Sequence, residues 1–160
     1  MTKNLCSKLT ACFAVVVCWL TLCGCVYDSP ITAKPTRKAD AGFLGNWTSQ
    51  DGKVKMKVGK YDEDNYVLIY DGQLYHAWAS DVEGMPFFSV QSLDSTEDGA
   101  YKFTYSSWKL ADDGTLHGRI VNDKIVPDDT KGSAAVQKLL KANLKNPDLL
   151  GEEIVFVKDK

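Results

Sequence analysis

Residues able to do chemistry are unevenly distributed along this chain. All five cysteines, Cys6, Cys12, Cys18, Cys23 and Cys25, precede residue 26. From Val26 onward there is therefore no thiol for a disulfide, a metal ion or nucleophilic catalysis. His76 and His117 are the only histidines, and no carboxylate stands at a spacing that would complete a two-histidine metal site. His76 lies among aromatics in "YHAW", where a hydrogen-bonded structural imidazole is expected; His117 follows a turn in "GTLHGRI" and is expected to face solvent. The acidic run Asp62-Glu63-Asp64-Asn65 lacks the glycine and the distal glutamate of a calcium loop, so it reads as a solvated turn. Neither a Gly-x-Ser-x-Gly elbow nor a phosphate-cradling glycine loop occurs. With no nucleophile, acid–base pair or metal set, catalysis is not expected, and no cofactor or metal is implied. The remaining signal is aromatic. Tyr66, Trp78, Phe88, Tyr101, Phe103 and Tyr105 either line a cavity for an apolar or sugar-bearing ligand, or form the core that so small a domain must have.

The cysteine-rich start has its own logic. A short basic segment, "MTKNLCSK", precedes 14 uncharged residues from Leu9 to Leu22. That is the shape of a secretory signal, and it falls short of the about 20 apolar residues a membrane-spanning helix needs. Its last residues, Leu22-Cys23-Gly24-Cys25, resemble the lipobox of bacterial lipoprotein signal peptides. The resemblance implies cleavage after Gly24 and a lipid on Cys25, whose sulfur is the nucleophile that takes up the diacylglyceryl group. Two or three acyl chains would hold the protein on its membrane stably. Val26, which is not aspartate, resembles the outer-membrane sorting pattern of enteric-type bacteria. The implied location is the cell envelope, at the periplasmic face of the outer membrane in a Gram-negative host.

Losing residues 1–24 removes Lys3 and Lys8 and leaves 17 basic against 21 acidic residues, a formal charge of −4. That balance argues against nucleic acid, which wants a basic face. Residues 25–41 read as the lipidated cysteine and a flexible tether, with Pro30, Pro35, Lys34, Arg37 and Lys38 and almost no large apolar side chains. Residues 42–160 read as one mostly β domain. Asp51-Gly52, Asp71-Gly72, Glu83-Gly84, Asp98-Gly99 and Asp113-Gly114 mark hairpin turns between strand-like runs. "KVKMKV" puts Val54, Met56 and Val58 on one face and three lysines on the other. "YKFTYSSW" alternates too, with Tyr101, Phe103 and Tyr105 on the face away from Lys102, Thr104 and Ser106. Helical spacing appears once, in "SAAVQKLLKANL", with Ser133 as the expected N-cap, and "EEIVFVK" returns as a final strand. A meander of hairpins must close or be covered to hide its inner face.

In "GFLGNWTS", Gly45-Asn46-Trp47 resembles the Gly-x-Trp of the first strand in calycins, meaning lipocalins and related lipid-binding barrels. Their order of meander, helix and last strand agrees across Gly42 to Lys160. The resemblance implies a closed antiparallel barrel with one helix before its last strand. In the family the tryptophan plugs the closed end and often stacks under an arginine. Arg119 is the only arginine from Gly42 onward, so a Trp47–Arg119 cation–π pair is implied. The chain departs from most lipocalins in being shorter and in having no disulfide, which leaves less room for a large pocket. The implied function is that of a membrane-anchored lipoprotein carrying a small apolar ligand in the cell envelope. The alternative is a structural or interaction lipoprotein with a filled barrel, docked on an envelope protein or cell-wall component. Cavity volume separates the two, since ligand pockets usually span about 300–1,000 Å3.

Overall fold

A computed structural model of the chain describes residues 26–93 and 102–160. Its strands are β1 (Gly45–Ser49), β2 (Lys55–Lys60), β3 (Asn65–Tyr70), β4 (Gln73–Val82), β5 (Met85–Ser92), β6 (Phe103–Leu110), β7 (Leu116–Val121) and β8 (Leu150–Lys158). Each pairs antiparallel with the next, and β8 pairs back onto β1, so the meander closes into an eight-stranded barrel. One helix, α1 (Ser133–Asn143), lies between β7 and β8.

Turn chemistry drives the tightest hairpins. Asp71-Gly72 joins β3 to β4, and Glu83-Gly84 joins β4 to β5, in two-residue loops. In both loops both residues have positive φ, 47° and 82° in the first and 53° and 88° in the second. Only this left-handed geometry matches the twist of the flanking strands, and glycine tolerates it best. Asp98-Gly99 lies outside the described residues. In β2 the alternation holds as read, with Met56 and Val58 buried and Lys55 and Lys57 exposed.

Residues 26–41 do not form a tether. Tyr27 bridges Phe103 at the start of β6 and stacks on Tyr105 with ring centroids 3.9 Å apart, and its hydroxyl donates to Val126 O at 2.7 Å. Ile31 is fully buried. From there the chain crosses the outer wall as a strap. Ile31 N–H donates to Ser89 Oγ, Thr36 N–H to Ala79 O and Ala39 N–H to Glu63 O. The sequence carries few large apolar residues here, but Tyr27 and Ile31 are both placed in the core, each contributing on the order of 2 kcal/mol by burial. Pro30 and Pro35 keep the strap out of a regular ladder. Its polar groups are met instead by side chains: Ser89 and Ser80 are buried on the outward face of their strands and bond to Ile31 N–H and the Thr32 hydroxyl. Unpartnered backbone groups there would be costly.

Helix α1 packs beside the strap. Val136 and Leu140 are buried in the same cluster as Tyr27, Ile31, Phe87 and Tyr105, and Gln137 Nε2 donates to Ile31 O at 3.0 Å. Ser133 is not the N-cap: it is the first helical residue, and its hydroxyl donates to Pro30 O at 2.7 Å. Gly132, with φ of 81°, caps the helix without a side chain, because the serine hydroxyl is taken up in tying the helix to the strap. Two apolar layers result, one between the outer wall of the barrel and its strap and helix, the other inside the barrel.

Asp28 ties these parts together electrostatically, pairing with Lys102 just before β6 and with Lys131 just before α1. Hydrogen bonding from Lys102, then from Lys131, lowers its pKa from 3.8 to about 2. A carboxylate depressed in the folded state stabilises above its unfolded pKa and loses that contribution as pH falls through the folded one. The melting temperature of the native protein should therefore exceed that of Asp28→Asn by a constant margin above about pH 5, and the margin should shrink between pH 4 and pH 2. A margin that does not change with acid would show that these pairs contribute nothing to holding the strap.

Candidate functional site

The barrel encloses a cavity of about 170 Å3. β3 contributes Tyr66, Leu68 and Tyr70 to its wall, β4 Tyr75 and Ala77, β5 Phe88 and Val90, and β6 Thr104, Ser106 and Trp108. These are alternate residues on each strand, as the pleat requires. Small side chains opposite the aromatics leave the space: Ala77 on β4, Ser106 on β6 and Gly118 on β7. Gly118 matters most, because a Cβ there would lie 2.3 Å from Cζ3 of Trp108. The indole ring thus lies across the backbone of β7, and Trp108 Nε1 donates to Ser106 Oγ at 2.8 Å.

One end of the lumen is shut. The strap finishes in a 3-10 turn, Ala41–Phe43, whose Phe43 ring sits 6.1 Å from Tyr66 and 5.8 Å from Phe88. Trp47 Nε1 donates to Phe43 O at 2.8 Å, and the Asp40 N–H donates to the Tyr66 hydroxyl. Toward the other end the lining side chains become partly exposed, at Leu68, Tyr70, Tyr75, Val90 and Thr104. The cavity therefore opens where β3 meets β4 and where β6 begins.

Electrostatically the lumen is quiet. Burial raises the pKa of both Tyr66 and Tyr70, so their phenols stay neutral at ordinary pH. The Arg119 guanidinium, at the edge of the wall, is held by the carbonyls of Gly151 and Leu150, both at 2.8 Å. Among the described residues, every buried side-chain nitrogen and oxygen has a hydrogen-bond partner. No group of three His, Cys, Asp or Glu side chains converges among them as a metal site.

Of the aromatics singled out from sequence, Tyr66 and Phe88 line the cavity. Trp78, Phe103 and Tyr105 do not: they belong to the outer layer under the strap and helix. There Trp78 Nε1 donates to Thr32 O at 3.2 Å and its ring meets Phe103 edge-on. Tyr101 and Cys25 lie outside the described residues. Trp47 is buried inside the barrel near its closed end, but the cation over its ring is Lys158, with Nζ 5.1 Å from the centroid. Arg119 is turned away to the start of β8, where its register with β7 is irregular. His76 Nε2 donates to Asn65 Oδ1 at 3.1 Å, and His117 pairs with Glu153 at 3.0 Å on the outer wall.

Sequence reasoning missed the β6 face formed by Thr104, Ser106 and Trp108, because Phe103 and Tyr105 are the more apolar set and alternation alone favours them for the lumen. The signal that could have found it is in the supposed tether: a tyrosine and an isoleucine amid polar residues imply a second face to cover. Compared with known proteins, the chain matches no family model, no curated protein and no solved structure.

Gly118→Ala tests the packing of Trp108. The added methyl should force the indole off β7, costing about 1–3 kcal/mol as overpacking and changing the near-ultraviolet circular dichroism. An unchanged spectrum and melting temperature would show that Trp108 does not rest on Gly118.

Proposed function

We propose that this protein binds a small, uncharged, apolar molecule in the barrel lumen while held at a membrane by a lipid on Cys25, in the manner of a calycin-like lipoprotein. The observation that carries the binding role is an apolar cavity in which, among the described residues, the buried polar side-chain atoms are already partnered. The buried part of such a lumen offers a ligand contact and exclusion of water but no unanswered hydrogen bond, the hydroxyls of Tyr70, Tyr75 and Thr104 lying toward the mouth, so a polar group carried inward would lose its hydration without return. The size narrows the class further. About 170 Å3 is below the about 300–1,000 Å3 of drug-sized sites and close to the about 150 Å3 void that takes up benzene in an engineered protein core. The occupant is a single-ring or short-chain hydrocarbon-like molecule, or the end of a longer one whose remainder passes through the open end. The anchoring role is supported by Leu22-Cys23-Gly24-Cys25 closing an uncharged run.

Titration of the chain from residue 26 with benzene and indole, followed by methyl NMR, tests the binding role. Leu68 and Val90 should shift in a saturable way, while methyls of the outer layer such as Val136 and Leu140 should not. Ala77→Leu, which fills the lumen, should abolish the shifts and leave the protein folded. A native protein that shows no lumen shift with either probe would point instead to a filled barrel acting through its surface.

A further inference from the structure

We propose that the open end of the barrel lies against the membrane that holds the N-terminus, so that the lumen exchanges its ligand directly with the lipid phase. This rests on the reading of Cys25 as the membrane anchor, and its first support is reach. With the strap docked from Tyr27 onward, Val26 enters the fold beside the first residues of β6, at the open end. Only one residue links Cys25 to Tyr27, and one residue spans at most about 3.6 Å. The ten residues of β4, at about 3.3 Å each and inclined as barrel strands are, set a wall on the order of 25 Å high. A lipid on Cys25 therefore cannot reach a bilayer lying against the closed end unless the strap peels off. Had residues 26–41 been a free tether, either end could have faced the lipid.

The surface at that end fits the same occupant. Among the described residues, four of the exposed large hydrophobic side chains, Val26, Ile69, Leu74 and Leu93, 39–51 % accessible, gather at this end, whereas Tyr61 on the β2–β3 loop and Val157 on β8 stand singly elsewhere. Ile69 and Leu74 are cross-strand partners beside the β3–β4 turn, and Leu93 N–H donates to Leu74 O. Together they form an apolar rim outside the mouth. On the same wall Lys57 stands in register beside Ile69, with Lys55 next along β2, and both lysines are exposed. Apolar tips flanked by lysines suit a headgroup boundary with anionic lipid. Acidic residues stand at both ends: at the mouth Asp51 is paired with Lys53 and Asp71 is exposed in the β3–β4 turn, while the closed end carries the longer runs Asp62-Glu63-Asp64, with Glu63 paired to Lys38, and Asp112-Asp113. Asp94, Glu97 and Asp98, between β5 and β6, lie outside the described residues.

Photo-crosslinking tests the orientation. The full protein, extracted from the membranes of the cells that make it, is reconstituted into vesicles of phosphatidylcholine and phosphatidylglycerol containing a phospholipid with a diazirine near its acyl carbonyl. After irradiation, adducts are located by peptide mass spectrometry. Peptides covering Ile69 to Leu74 should carry at least ten times the adducts of those covering Tyr61 to Asn65 or Leu110 to Gly114. Ile69→Asp combined with Leu74→Asp should reduce the mouth adducts several-fold at an unchanged melting temperature. Adducts concentrated at the closed end, or none on the barrel of a vesicle-bound protein, would overturn the orientation while leaving the anchor in place. A protein that fails to float with the vesicles would remove the anchor, and the orientation with it.

Discussion

Tyr27 stacked on Tyr105 is the contact on which the rest of the architecture turns. It brings the strap onto the outer wall at the start of β6, and Ile31, with the serines beneath it, continues the seal across β5 and β4. Once that wall is covered, β4, β5 and β6 have two buried faces rather than one. The largest side chains are then divided between the faces, and Trp78, Phe87, Phe103 and Tyr105 all go to the outer one. The inner face is left with Ala77, Ser106, Thr104 and Val90 between its aromatics, which is why a barrel of only eight strands keeps a void.

How much of this was legible in the sequence depends on the kind of rule involved. The closed meander and its late helix follow from turn residues and alternation, which are local: Asp71-Gly72 and Glu83-Gly84 produce their hairpins almost independently of the rest of the fold. Which face of a strand points inward is not local when both faces are buried. For β2, whose other face is lysine, the assignment from sequence and the structure agree. For β6, both alternating sets are apolar enough to be buried, and only the strap decides between them. The same reason separates Trp47 from Arg119: the presence of a single arginine says nothing about the competing carbonyls of Gly151 and Leu150, or about a lysine at the end of β8.

Docking the strap also connects anchoring to binding. The first 3-10 turn that closes the lumen is the far end of the segment whose near end joins the barrel wall at the mouth. One continuous stretch of chain therefore caps the bottom of the cavity, covers its side and emerges beside its opening. A membrane attachment at residue 25 would hold all three in one orientation, with little freedom for the barrel to turn about its own tether.

The central claim is that the lumen is a dry, accessible apolar void, and the most direct measurement is diffraction from crystals of the protein held under xenon pressure. Xenon seeks apolar cavities of this size and ignores wet or filled ones. The account predicts a bound xenon inside the barrel between Ala77, Ser106 and Trp108. An empty difference map there, with side chains or ordered water filling the space, would contradict it.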